Sequence, residues 1–270
     1  IYKNSPLSDL NIYLSSHNHG QLIFNPISFR FAGNGKFHAN GELNSSGGVP
    51  KFAGKISLSG DNPKTILGQS PSRRRSVNLD FIKKFNLYSD LVLLPSKMDL
   101  NNLFVNINDK EAEISGDLSY AIVNKKPFFK GDFRVNNFDI ENQIKNFNIT
   151  KYTNKGSLIE KVFWLNDLSY ETSMRLGFDR INYGEEEFFD SSLDLEIKRG
   201  KIKLSNVVID PKLHNSRANF LIDISQETPK LILNVSAKSL SISSDLRKSE
   251  KPQYISCLLY TSDAADEEDS

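Results

Sequence analysis

The chain has 270 residues and a formal net charge of +1; 38% of its residues are hydrophobic, and 18 Phe and 9 Tyr place much of that content in β-favouring aromatics. No stretch approaches the roughly 18 apolar residues of a membrane helix. A single cysteine excludes a disulfide framework and a thiolate zinc site, and basic residues do not interleave with aromatics as a nucleic-acid groove requires.

Taken in chain order, the first alternating segments are Ile27, Phe29, Phe31 and Phe37, Ala39. A three-residue loop at Gly33-Asn34-Gly35 predicts a hairpin that sets Phe31 opposite Phe37. A polar turn then leads into a strand pair written Gly41, Leu43, Pro50, Phe52, Gly54, Ile56. Proline falls between the strands, where a missing N–H costs least. Residues 61–97 read as a linker, with Arg73-Arg74-Arg75 as a solvated basic run and a short helix over 78–88. Leu103, Val105, Ile107 and Ala112, Ile114 form the next hairpin. A turn at Asp109-Lys110 pairs Ile107 with Ala112 and Val105 with Ile114. The strand pair then recurs as Gly116, Leu118, Pro127, Phe129, Gly131, Phe133.

Residues 141–173 read as a second linker. Ser157 and Glu160 fit a capping box, and Ile159, Val162 and Phe163 share one face of a helix over 157–168. The third hairpin is Leu193, Leu195, Ile197 and Ile202, Leu204. A turn at Arg199-Gly200 pairs Ile197 with Ile202 and Leu195 with Leu204. A degenerate third copy of the strand pair follows: Leu221, Ile222, Ile224, Pro229, Leu231, Leu233, Val235. Residues 257–270, beginning Cys257-Leu258-Leu259-Tyr260-Thr261-Ser262, resemble a translated sequencing adapter. They are expected to be an artefactual tail on a fragment of a longer protein.

The modules thus span about 20–60, 98–140 and 174–245 of a β region over 1–256. A repeated hairpin cannot bury its apolar face alone and must stack on its neighbours. The expected fold is mostly β: an extended, twisted antiparallel sheet of repeated modules forming a groove, with one or two short helices.

No nucleophile elbow, phosphate loop, dinucleotide fingerprint or zinc-protease motif occurs. His17 and His19 share a strand face but no converging ligand is marked, so no metal site is expected. His38 and His214 read as ordinary strand and loop residues, and Glu185-Glu186-Glu187 as a solvated turn. The sequence predicts neither an enzyme nor a cofactor.

The segment Trp164-Leu165-Asn166-Asp167-Leu168-Ser169, then Met174 to Gly184 and Leu193 to Leu204, resembles the C-terminal region of AsmA-family proteins. The G-x-L…P-x-F-x-G units around Pro50 and Pro127 resemble the same family. Arg199-Gly200 replaces its usual Asp-Gly turn, and its proline after the tryptophan is absent. The resemblance implies a periplasmic protein held to the inner membrane by an anchor outside this fragment. It implies a role in outer-membrane biogenesis and phospholipid movement between the two membranes, with no catalytic residues.

An apolar sheet face must be covered by a helix, a second sheet or a lipid. The lipid-groove candidates are Phe29, Phe31, Phe37, Phe52, Val105, Ile107, Ile114, Phe129, Phe133, Leu195, Ile197, Ile202 and Leu204. The expected partners are phospholipid or another acyl lipid and a membrane, with no nucleic acid. The alternative is a non-catalytic β-repeat interaction or adhesion module, in which these residues fill a dry core.

Overall fold

The computed structural model describes residues 7–17, 21–32, 34–45, 47–61, 63, 82–140, 168–209, 216–225 and 230–236. They form one 14-stranded sheet. Its strands are β1 (Ser8–His17), β2 (Gln21–Phe31), β3 (Gly35–Asn44), β4 (Lys51–Asp61), β5 (Lys84–Leu94), β6 (Lys97–Ile107) and β7 (Ala112–Val123). They continue as β8 (Lys126–Val135), β9 (Phe138–Asp139), β10 (Glu171–Tyr183), β11 (Glu186–Lys198), β12 (Lys201–Ile209), β13 (Ser216–Asp223) and β14 (Lys230–Ser236). Sequence neighbours pair antiparallel from β1 to β8 and from β10 to β14. The two halves join through a parallel pair, with β10 beside β8 from Glu171–Phe128 to Phe178–Val135. β9 pairs parallel with β10 off the main path. β1 and β14 do not pair, so the sheet is open.

The short turns set the register as the sequence predicts in two hairpins. Ile197 faces Ile202 and Leu195 faces Leu204 across Arg199-Gly200. Ile107 faces Ala112 and Val105 faces Ile114 across residues 108–111. The first hairpin differs by two residues. Phe29, not Phe31, faces Phe37, and Phe31 faces Gly35. Gly35 belongs to β3 because its missing side chain is replaced by a ring: a Cβ there would strike the Phe31 ring. The loop is therefore residues 32–34. No polar turn separates this hairpin from the Gly41 unit, since Phe37, Ala39, Gly41 and Leu43 all lie in β3. Likewise Ala112 to Leu118 lie together in β7.

Residues 84–97 do not belong to a linker with a helix. They hold β5 and its turn, and Phe85 and Leu87 face Ile107 and Val105. A short apolar run fits either period, and pairing on both sides selects the strand. The expected helix over 157–168, the Arg73-Arg74-Arg75 run and the tail lie outside the described residues, apart from Leu168.

The G-x-L…P-x-F-x-G copies both fold as hairpins, β3–β4 and β7–β8, but with different turns. The first closes at Asn44–Lys51 with Gly41 opposite Gly54. The second closes at Val123–Lys126, placing Gly116 opposite Phe133 and Leu118 opposite Gly131. Its two loop residues, Asn124 (φ 50) and Lys125 (φ 63), are both left-handed. That turn twists with the strands, and the ladder runs further toward the tip, by four residues on the first strand and two on the second.

A second repeat emerges from the hydrogen bonds. Asn102 in β6 has φ 52; its amide donates to Asp90 at 2.8 Å and its backbone N–H donates to Asp117 at 2.9 Å. Asn206 in β12 has φ 51; its amide donates to Asp194 at 2.6 Å and its N–H donates to the Asn219 side chain at 3.2 Å. Both sit at a bulge, between Leu100 and Leu103 and between Leu204 and Val207. A third bulge falls at the same height in β2, between Phe24 and Ile27. Each absorbs one residue and returns the following apolar side chains to the same face, while bending its strand.

The strand contacts follow the ladder, and the segment before β10 lies on the sheet: Leu168 packs with Ile197, Ile202 and Phe220 around Ile222 and Ile224, and the Tyr170 ring meets Phe129 edge to face at 6.0 Å. Buried hydrophobic residues are correspondingly few: Ala39, Leu103, Phe178, Ile222 and Ile224.

Candidate functional site

Residues directly opposite on paired strands share a face, so the registers can be followed from edge to edge. One row runs Leu14, Phe24, Gly41, Gly54, Leu91, Leu100, Leu118, Gly131, Met174, Leu195, Leu204, Phe220, Leu233. It takes one residue from every strand of the path, and none is polar. The row nearer the β5–β6 turn runs from Leu22 through Leu43, Phe52, Leu93, Met98, Tyr120 and Phe129. It continues through Thr172, Ile197, Ile202 and Ile222 to Leu231. A third row joins Phe29, Phe37, Leu58, Leu87, Val105, Ile114, Val135 and Phe178. Together they make a continuous apolar stripe at right angles to the strands. At about 4.8 Å per strand it is roughly 58 Å long.

All the sequence-predicted candidates lie on this face. Phe29, Phe37, Val105 and Ile114 share one row; Phe52, Phe129, Ile197 and Ile202 share another; Leu195 and Leu204 lie in the row between. Phe31, Ile107 and Phe133 stand in adjoining rows. The candidate residues leave out Leu91, Leu100, Leu118, Met174 and Phe220; of these Leu91 and Met174 join one module to the next, opposite Gly54 and Gly131. A shared signal marks two of the bridging hairpins: Asp90-Leu91-x-Leu93-x-x-x-Lys97-Met98-x-Leu100-x-Asn102 matches Asp194-Leu195-x-Ile197-x-x-x-Lys201-Ile202-x-Leu204-x-Asn206.

Glycines keep parts of the stripe low. A Cβ on Gly54 would strike the Asn40 carbonyl oxygen, and one on Gly41 would meet the Phe52 ring at 2.9 Å. A Cβ on Gly131 would meet the Phe133 ring and the Met174 sulfur at 2.7 Å. Aromatic rings thus fold down over glycine backbone. Phe24 and Phe52 meet edge to face at 6.1 Å, and Phe29 stacks on Phe37 at 4.8 Å.

The opposite face is an ion-pair lattice. Lys55 meets Asp90 at 2.8 Å, and Arg175 lies between Asp194 at 3.2 Å and Asp132 at 3.8 Å. Arg134 bridges Asp179 and Asp190. The Asn206 amide, then Arg175, hold the Asp194 carboxyl below its usual range; Lys55, then Asn102, do the same for Asp90. A depression of about 880 Å³ lies on this face, lined mainly by charged and polar residues that include Lys97, Asp99, Asp117, Lys130, Arg175 and Asp194. Its charges are largely matched within the sheet, as in Lys97–Asp99 at 2.7 Å. Leu195 is the one apolar candidate among its lining residues; the others stand in the stripe on the other side.

Among the described residues no cluster of His, Cys, Asp and Glu could hold a metal ion, and no helix is long and apolar enough to cross a membrane. Glu185 lies in the β10–β11 turn, as expected, and Glu187 pairs with Arg180 at 3.5 Å.

Among the described residues the fold and this face define a class: an open, amphipathic β-sheet built from repeated hairpins. No family model, curated protein or solved structure matches the chain.

Proposed function

We propose that this chain carries acyl lipid along its apolar face, as the periplasmic part of an inner-membrane-anchored envelope protein serving outer-membrane biogenesis. The observation that carries the reading is the uninterrupted apolar row across every strand of the path; among the described residues it is covered from outside the sheet only locally, by Leu168 near Ile222 and by Tyr170 on Phe129. Each buried acyl CH₂ contributes about 0.8 kcal/mol. A chain lying along the rows is held by many small, equivalent contacts, which permits it to slide. AsmA membership, location and anchor belong to the same proposal and rest on the resemblance around Met174–Gly184 and the hairpin after it.

A photoreactive residue placed at Met174 or Leu195, and in parallel at Arg175 or Lys203 on the ionic face, tests this in a Gram-negative host. Irradiation is expected to give phospholipid adducts from the first pair and none from the second. Equal labelling of both faces, or no lipid adducts, overturns the reading.

The interaction-module alternative draws support from β14. Its Leu231, Leu233 and Val235 are 46–48% exposed at a sheet edge, where strand addition is favoured. Protein adducts concentrated at β14 would favour it.

A further inference from the structure

The two long edges of the sheet differ in charge. The β3–β4, β5–β6, β7–β8, β11–β12 and β13–β14 turns all fall on one edge. There the strands end in Lys51, Lys97, Lys126, Lys198, Lys201 and Lys230. The turns add Lys125 and Arg199. Among the described residues the acids on this edge are Glu171 and Asp223, and Asp223 is bonded to Lys201 at 3.0 Å. Among the described residues the opposite edge is mixed: Asp9, Asp61, Asp109, Glu111, Glu185 and Glu186 stand with Arg30, Lys36, Lys83, Lys84 and Lys110.

The basic edge borders the apolar stripe. Lys51, Lys97, Lys201 and Lys230 each immediately precede a stripe residue: Phe52, Met98, Ile202 and Leu231. One residue along a strand is about 3.3 Å and turns the side chain to the other face, so these lysines reach the stripe around the rim at the strand ends. Between β7 and β8 the apolar face reaches the rim itself, where Ile122, 51% exposed, sits opposite Pro127. Lys97 and Lys198 are held by acids on the ionic face. Lys51, Lys125, Lys126 and Lys230 are exposed and have no ion-pair partner among the described residues.

An apolar floor with a cationic rim along one side of the described residues is complementary to an amphiphile with an anionic head. We propose that the lysine edge holds the phosphate of the lipid headgroup, so that lipid lies with its chains on the stripe and its head toward these turns. The inference rests on the lipid-carrying reading. Its reverse orientation is opposed by the acids of the other edge.

The test uses the full chain and vesicles of phosphatidylcholine containing either phosphatidylglycerol or uncharged diacylglycerol, with extracted lipid measured by mass spectrometry. The rim variant combines Lys51→Glu, Lys125→Glu, Lys126→Glu and Lys230→Glu. A control with the same charge change combines Lys36→Glu, Lys83→Glu, Lys84→Glu and Lys110→Glu toward the other edge. Circular dichroism checks that both fold. The rim variant is expected to lose phosphatidylglycerol extraction by about tenfold or more while diacylglycerol extraction stays within about twofold. The control is expected to match the parent for both. Equal losses in the two variants, or none in the rim variant, overturn the rim assignment alone. Competition by inorganic phosphate at concentrations equal to the lipid also overturns it, because the edge would then bind phosphate without the chains. A parent protein that extracts neither lipid overturns the lipid reading itself.

Discussion

Replacing Asn102 by alanine and, separately, by glycine probes what holds the bulges. Asn102 lies at φ 52 with its amide on Asp90. Alanine loses the hydrogen bond, worth about 0.5–1.5 kcal/mol and near the lower end at this exposed site. It also meets the left-handed penalty of about 1–2 kcal/mol. Glycine loses the bond but not the backbone freedom. The expected costs are therefore about 2 kcal/mol for Asn102→Ala and about 0.5–1 kcal/mol for Asn102→Gly. Asn206, with φ 51 and its amide on Asp194, should repeat both values. β6 and β12 are five strand spacings apart, about 24 Å, so the two alanine changes should add to about 4 kcal/mol. Urea unfolding reads these as midpoint shifts at constant slope. The reasoning fails if glycine is as damaging as alanine at both positions.

Three other outcomes are expected. Asp223 is held at about 2, below its ordinary 3.8, first by the Ser225 hydroxyl and then by Lys201. Its contribution to stability is complete above 3.8 and lost as pH falls from there toward about 2, so the stability gap between the parent and Asp223→Asn should close over that window in acid titrations. Gly54→Ala should cost about 2 kcal/mol or more by thermal unfolding, because its Cβ lands on the rigid Asn40 carbonyl. Leu103→Ala, at a residue 6% exposed, should cost about 2–4 kcal/mol, whereas Leu93→Ala, at one 45% exposed, should cost under about 1 kcal/mol; similar losses would mean that the stripe is folding core.

Hairpins with short turns and strict alternation were legible in the sequence. Leu195, Ile197, Ile202 and Leu204 allow only one pairing that keeps Asp194, Glu196 and Lys203 on the other face. Alternation failed where a glycine belonged to a strand, as at Gly35, because glycine reads equally as turn residue and as a seat for a neighbouring ring. It failed again at β5, whose partners, β4 and β6, settle what Phe85 and Leu87 alone leave ambiguous. The apolar face could be read module by module. Its continuity could not, because Gly54–Leu91 and Gly131–Met174 are pairings across long connections. The asparagine bulges were hidden for a related reason. Their bonds join polar residues, Asn102 to Asp90 and Asp117 and Asn206 to Asp194 and Asn219, which stand off the apolar alternation that announces the hairpins.

The parallel step between β8 and β10 has a consequence for phase. An antiparallel pairing at that point would have sent β10 the other way and exchanged the two borders for every later strand. The β11–β12 and β13–β14 turns would then fall beside the acidic border of the first half. By restarting β10 alongside the start of β8, the chain keeps both halves in step. Two segments of different length and sequence thus read as one continuous polarity across the whole sheet.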